Sequence, residues 1–105
     1  MYKKILVPMA LDHDISPRTL AIAQALAGDT GTITALHVYE APKGSVNAYL
    51  DEEAKKDGIA RAKSELLAKT EHLSNVQPVM VIGHTYRTII AYARDNVIDC
   101  IVMGS

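Results

Sequence analysis

Short apolar runs of strand length alternate along this chain with longer stretches in which apolar residues recur at helical spacing. The strand-like runs cover residues 2–8, 32–39, 78–82 and 99–103. The helical patterns cover residues 16–27, about 50–73 and 86–97. Strands that alternate with helices form parallel sheets through right-handed crossovers. The order β-α-β-α-β-α-β therefore predicts one α/β domain over residues 1–105, with a Rossmann-like open parallel sheet and helices on both faces.

Local signals set the limits and the inward faces of the helices. Ser16 and Pro17 suit the N-cap and the first position of the first helix, and Gly28 suits its end. Gly58 is expected to break the second helix and to leave its first turns loose. The apolar positions at helical spacing are Leu20, Ala23 and Ala27 with Ile22 and Leu26 beside them; Ile59, Ala62, Leu66, Thr70 and Leu73; and Tyr86, Ile89, Ile90, Ala93 and Val97.

Composition excludes several classes of partner. The net charge is −1, and neither Phe nor Trp occurs, which argues against a nucleic acid or an anionic membrane as the main partner. Cys100 is the single cysteine, so no internal disulfide can form, as in a reducing compartment. Met1 leads directly into a strand without a signal peptide, and the apolar runs fall short of the ~20 residues of a membrane helix. A cytoplasmic location is predicted.

The first and the last strand both stop abruptly. Pro8 closes the first, and Gly104-Ser105 follows the last. In open parallel sheets, ligands bind beyond the carboxyl ends of the strands, where the strand order reverses. The two strand ends are therefore predicted to form two walls of one ligand site. Because natural proteins avoid a bare sheet edge, we expect the protein to continue past Ser105 or another chain to cover that edge.

Few side chains suggest chemistry. The cluster Asp12-His13-Asp14 could bind a metal or act on a phosphate, but acidic residues before a helix also suit its positive end, which is the favoured interpretation. Arg87 could pair with a phosphate; for it and His84, solvated positions at a helix start are favoured. His37 is predicted to be a hydrogen-bonded core residue and Cys100 a small buried hydrophobe.

Familiar catalytic motifs are missing from the sequence. It contains no GxxxxGK[ST], no GxGxxG after the first strand, and no CxxC, HExxH or GxSxG. Nothing in it pairs a nucleophile with a base, so we do not expect a conventional hydrolase.

Four segments together resemble the universal stress protein family across the whole chain, which would contain the first four strands of that domain. They are Lys-Ile-Leu-Val-Pro at 4–8, Ala-Leu-His-Val at 35–38, Gly83 six residues before Ile89, and Asp-Cys-Ile-Val-Met-Gly-Ser at 99–105. The resemblance implies that the fourth strand lies beside the first, with adenine and ribose between Pro8 and Met103. The nucleotide-binding residues that it implies are Pro8, Met9, Ala10, Val38, Met103, Gly104 and Ser105. The implied ligand is ATP or AMP, with Mg²⁺ as a possible companion, and no residue is implied to be catalytic or to hold a metal directly.

Two departures from the family pattern weigh on that expectation. Ala10 stands where nucleotide-binding members commonly carry an aspartate that bonds the ribose hydroxyls, and Thr85 stands where a proline is common. Gly104-Ser105 opens the family's glycine-rich phosphate loop, whose amides would cradle an anion. Since the rest of that loop is not in this sequence, triphosphate binding is expected to be weak or absent.

The resemblance thus implies an adenine-nucleotide-binding regulatory domain in stress response that is not an enzyme and that forms homo-oligomers in the complete protein. The alternative is a stress-response interaction domain that acts through protein partners without a nucleotide, which Ala10 favours. A slow ATPase has little support, because no general base is identifiable.

Overall fold

A computed structural model of the chain describes residues 2–11, 17–40 and 48–103. Its elements are β1 (Lys4–Pro8), α1 (Pro17–Ala27), β2 (Thr32–Tyr39), α2 (Ala48–Thr70), β3 (Val76–Ile82), α3 (Thr85–Asp95) and β4 (Cys100–Ile101). The described strands form one parallel sheet in the order β3-β2-β1-β4. The predicted α/β fold, with its alternation of strands and helices, is confirmed.

Both faces of the sheet are packed against helices. On one face, buried residues of the sheet meet α1 and α2; this first core comprises Ile5, Val7, Met9, Leu20, Ala23, Ala27, Ile33, Ala35, Leu66 and Val76. On the other face, α3 covers a smaller second core of Leu6, Leu36, Val38 and Ile89. Because side chains alternate along a strand, β1 contributes Ile5 and Val7 to one core and Leu6 to the other.

The helix α2 confirms its predicted stripe and corrects the expectation for Gly58. Ala62, Leu66 and Thr70 are buried, and the Thr70 hydroxyl donates to the Leu66 carbonyl at 2.8 Å. The helix runs through Gly58 without a break. A Cβ at Gly58 would collide with the Tyr39 hydroxyl, so the glycine there lets α2 approach the end of β2 closely.

Several apolar residues that were predicted to face inward are exposed. On α3, Ile89 is buried, but Tyr86 is 70% and Ile90 65% exposed, and Val97, two residues beyond the helix, is 71% exposed. Tyr86 and Ile90 lie on a flank of the helix that is offset from Ile89, so α3 covers the second core with only part of its apolar surface. On α1, Leu20, Ala23 and Ala27 are buried as expected, whereas Ile22 is exposed.

The strand β4 is shorter than predicted, with two residues instead of five. It pairs with β1 through Ile5↔Cys100 and Leu6↔Ile101. The Val102 N–H still donates to the Leu6 carbonyl at 2.9 Å, so the pairing extends just past the strand. In the part of the chain that the structure describes, no helix combines the length and apolarity needed to span a membrane.

Asp99 joins the start of β4 to the start of β1. Its carboxylate oxygen Oδ2 accepts hydrogen bonds from the backbone N–H groups of Lys4 at 2.9 Å and Lys3 at 3.0 Å, and its own N–H donates to the Lys4 carbonyl at 2.9 Å. The two bonds to the carboxylate, first that from Lys4 and then that from Lys3, lower the pKa of Asp99. Asp99 therefore acts as a charged clasp between the two strands.

Substituting Asp99→Asn is expected to lower the melting temperature at pH 7, because asparagine keeps an acceptor oxygen but loses the charge that strengthens both bonds. The folded-state pKa lies below the ordinary value of 3.8, so the stabilisation is complete above that value and is lost as the pH falls through the folded-state pKa. Thermal unfolding followed from pH 7 to pH 2 should show a gap between the two proteins that closes only in acid. Asp29→Asn, in the exposed turn after α1, should melt like the wild type; a gap for Asp99→Asn that stays constant down to pH 2 would contradict the role of its charge.

Candidate functional site

The strand order reverses at β1. The chain moves from β1 to β2 and β3 on one side, with α1 and α2 on one face, and then crosses by α3 to β4 on the other side of β1. The connections on the two sides of β1 thus lie on opposite faces of the sheet. In open α/β sheets such a reversal leaves a crevice beyond the carboxyl ends of the two strands. In this sheet, that rule predicts the crevice at the ends of β1 and β4.

The segment that leaves β1 is held by hydrogen bonds at both backbone groups of one residue, Met9. Met9 is 3% exposed; its N–H donates to the Leu36 carbonyl at 2.8 Å, and its carbonyl oxygen lies 2.7 Å from Nδ1 of His37. Pro8 before it is half-buried, and Ala10 after it is exposed. Ala10 is thus the first open residue beyond β1, on a backbone that is fixed up to that point.

His37 is hydrogen-bonded, as predicted, and half-buried. A carbonyl oxygen can only accept, so Nδ1 carries the proton in the bond to Met9. The register places Pro8 beside Leu36, so Met9 and His37 come next to each other at the end of the pair. The sequence could not reveal this partner, which is 28 residues away and depends on the alignment of β1 with β2.

The other predicted binding residues differ in their exposure to solvent. Val38 is 8% exposed and belongs to the second core, with Leu36 and Ile89 as neighbours in that cluster. Met103, two residues beyond β4, is 63% exposed. Gly104 and Ser105 lie outside the described residues, as does the cluster 12–14. The structure therefore describes five of the seven predicted binding residues, of which Ala10 and Met103 are open to solvent.

A carboxylate at the end of β2 caps α3. Glu40 Oε1 accepts from the Thr85 backbone N–H at 2.7 Å and from the Thr85 hydroxyl at 2.6 Å. A negative charge at a helix N-terminus stabilises the helix. A proline at position 85 would have no N–H for the first bond, so Thr85, one of the two departures from the family pattern, contributes directly to this cap. Sequence reasoning missed Glu40, because the two residues are 45 positions apart.

The remaining candidates have simpler roles. His84 and Arg87 are exposed at the start of α3, in agreement with the favoured interpretation, and Cys100 is half-buried against the first core. Among the described residues, no group of three or more His, Cys, Asp or Glu side chains could hold a metal ion. A cleft of about 150 Å³ lies between α2 and β3, lined by Lys63, Leu66, Leu67, Pro78 and Met80; these residues are not at the ends of β1 and β4.

The fold is that of a doubly wound α/β protein, in which the order of the parallel strands reverses at β1. The model of the universal stress protein family matches residues 1–105. The chain therefore belongs to the universal stress protein family.

Solved structures share the fold. The universal stress protein UspA from Lactobacillus plantarum is 24% identical, with a TM-score of 0.80, over 97% of this chain and 76% of that chain. The protein MJ0577 is also 24% identical, with a TM-score of 0.81, over 98% and 74%. A universal stress protein family member from Burkholderia pseudomallei is 20% identical, with a TM-score of 0.65, over 99% and 82%. No curated protein matches the sequence.

Proposed function

We propose that this protein is a regulatory domain that binds an adenine nucleotide, ATP or AMP, beyond the carboxyl ends of β1 and β4. The observation that carries the proposal is the reversal of strand order at β1, next to a backbone segment that is fixed as far as Met9 and opens at Ala10. Its action in stress response would be through binding rather than catalysis, with the bound nucleotide biasing a surface that partners recognise.

The residues at the crevice fit some parts of a nucleotide better than others. Pro8, which is half-buried, and Met103, which is 63% exposed, offer the apolar surface that an adenine ring requires, whereas Met9 and Val38 are buried in the two cores. Ala10 offers no acceptor to ribose hydroxyls. Mg²⁺, if it accompanies the nucleotide, would be held chiefly by the phosphates, as is usual for this ion, since the described residues contain no cluster of metal ligands.

The second candidate function is an interaction domain without a nucleotide. The methyl group of the exposed Ala10 supports it, because a ribose would find no carboxylate there. In that case, partners would recognise the protein surface directly. Homo-oligomer formation, which the exposed apolar side chains of Ile90 and Val97 support, and a cytoplasmic location belong to both proposals.

Calorimetric titration with ATP, ADP and AMP distinguishes the two functions. The wild type is expected to bind, and Ala10→Asp to bind at least about tenfold more tightly, because a carboxylate that accepts hydrogen bonds from hydroxyls contributes on the order of 1.5–3 kcal/mol. Ala60→Asp, at an exposed position in the middle of α2, adds the same charge elsewhere and should bind like the wild type.

The outcomes separate cleanly. If the wild type shows no heat of binding while Ala10→Asp binds a nucleotide, the crevice is intact but the native protein has lost its ligand. This result would support the interaction domain. If neither protein shows a heat of binding with any of the three nucleotides, nucleotide binding is contradicted altogether. Similar affinities for ATP and AMP would show that the outer phosphates add little.

A further inference from the structure

We infer that His37 is a positioning residue for the crevice: its Nδ1–H holds the Met9 carbonyl and so sets the conformation in which the chain leaves β1. The role of this conformation in ligand binding rests on the proposed function. The hydrogen bond from His37 to the Met9 carbonyl rests only on the geometry of the adjacent strands β1 and β2.

The position of His37 is unusual for the face that it occupies. On β2, Ile33 and Ala35 point to the same face and are fully buried in the first core. Alternation places His37 next in this row, and it is the only residue of the three with a polar side chain. A valine or isoleucine would continue the row with better strand propensity. Packing alone therefore does not explain why a histidine occupies this position.

The Met9 carbonyl provides that reason. Met9 is almost completely buried, and a buried carbonyl without a partner costs on the order of 1–3 kcal/mol. Its N–H already pairs with the Leu36 carbonyl at 2.8 Å, and His37 supplies a donor to the carbonyl at 2.7 Å. The two bonds fix both sides of Met9 immediately before the exposed Ala10, where regular pairing of β1 with β2 has ended.

Fixing this segment in advance reduces the ordering that a ligand must otherwise impose. Ordering a loop or a side chain upon binding costs affinity, so a segment that is already fixed binds more tightly. Without the donor, Ala10 and Leu11 would leave β1 in several conformations. We therefore expect loss of the His37 donor to weaken nucleotide binding roughly tenfold.

The wild type allows a first test without any substitution. The imidazole nitrogen chemical shifts of His37, measured by NMR above the pH at which the ring is protonated, should show hydrogen on Nδ1 and a bare Nε2. The opposite tautomer, with hydrogen on Nε2, would overturn the inference, because Nδ1 could not then donate to Met9.

A matched pair of substitutions provides the second test. In His37→Asn, the side-chain amide nitrogen is bonded to Cγ, as Nδ1 is, so it can still donate; His37→Leu fills similar space without a donor. Amide hydrogen exchange of Met9, relative to residues 5–7 of β1, should speed up at least about tenfold in His37→Leu and return near the wild-type rate in His37→Asn. The Kd for AMP should follow the same order, and His72→Leu, at an exposed position after α2, should change neither quantity.

The two readouts keep this inference separate from the proposed function. A wild type that does not bind AMP overturns nucleotide binding, whereas the hold on Met9 is then decided by the tautomer and by exchange. Unchanged exchange in His37→Leu overturns the hold, and faster exchange with an unchanged Kd overturns its role in positioning the ligand. If His37→Leu does not fold, His37→Ala is compared with His37→Asn in the same way.

Discussion

Gly31→Ala is expected to destabilise the protein by about 1–3 kcal/mol, one of the largest effects of a single methyl group in this chain. Gly31 is buried where the chain passes from α1 into β2, and its N–H donates to the Ala27 carbonyl at 3.0 Å. A Cβ there would lie 2.6 Å from the carbonyl oxygens of both Ala27 and Tyr2 and 2.8 Å from the Ala27 Cα. All three are backbone atoms, so no side-chain rotation can relieve the contact, and either the helix end or the segment before β1 must shift.

Urea unfolding followed by circular dichroism measures the loss as a lower midpoint with an unchanged slope. Thr30→Ala, at the exposed neighbouring position, is the control and should stay within about 0.5 kcal/mol of the wild type. If Gly31→Ala is as stable as the control, the N-terminal segment cannot lie against the end of α1 as closely as the structure places it.

Leu6→Ala is expected to lower the free energy of unfolding by about 2–5 kcal/mol. Leu6 has no exposed surface and lies in the second core beneath α3. Its neighbour in register on β4 is Ile101, which is 43% exposed on the same face of the sheet. Because the environment of Ile101 is already partly solvent, Ile101→Ala should cost clearly less, about 1 kcal/mol.

The comparison of these two variants examines how the face beneath α3 is covered in solution. Both are measured by urea unfolding at two protein concentrations. If Ile101→Ala costs as much as Leu6→Ala, the outer part of this face is covered in solution. A loss that grows with protein concentration would then identify a second copy of the chain as the cover, since association stabilises a protein by mass action.

The elements could be predicted from the sequence because each carries its own local signal. β2 is rich in β-branched and apolar residues and spans the predicted limits, and α1 begins at Pro17 and ends before Gly28 as predicted. The limits of β4 could not be predicted in this way. Its apolar run continues to Met103, but pairing with β1 ends near Val102, because Pro8 of β1 has no N–H to donate to the next position of the ladder.

The inward faces were predicted less well where tertiary packing decides them. α2 follows its pattern, because Ala62, Leu66 and Thr70 meet the sheet. α3 does not, because helical spacing shows which residues share a side but not how much of that side a neighbour covers. Gly58 was misjudged for a related reason: helix propensity counts glycine as a weakness, whereas here the glycine lies against the Tyr39 ring, whose hydroxyl a Cβ would have to displace.

In the candidate site, too, some features follow from the sequence and others from the tertiary structure. The sequence by itself determined the end of β1 at Pro8 and, through the order of elements, the parallel sheet to which β1 and β4 belong, because periodicity, turn residues and crossover handedness act locally or follow general rules. Only the tertiary structure decided the bond between His37 and Met9, the cap that Glu40 places on Thr85, and the clasp of Asp99 on Lys3 and Lys4. Each of these joins groups that are 28 to 96 positions apart, and such partners are set by strand register and helix placement, which no local pattern records.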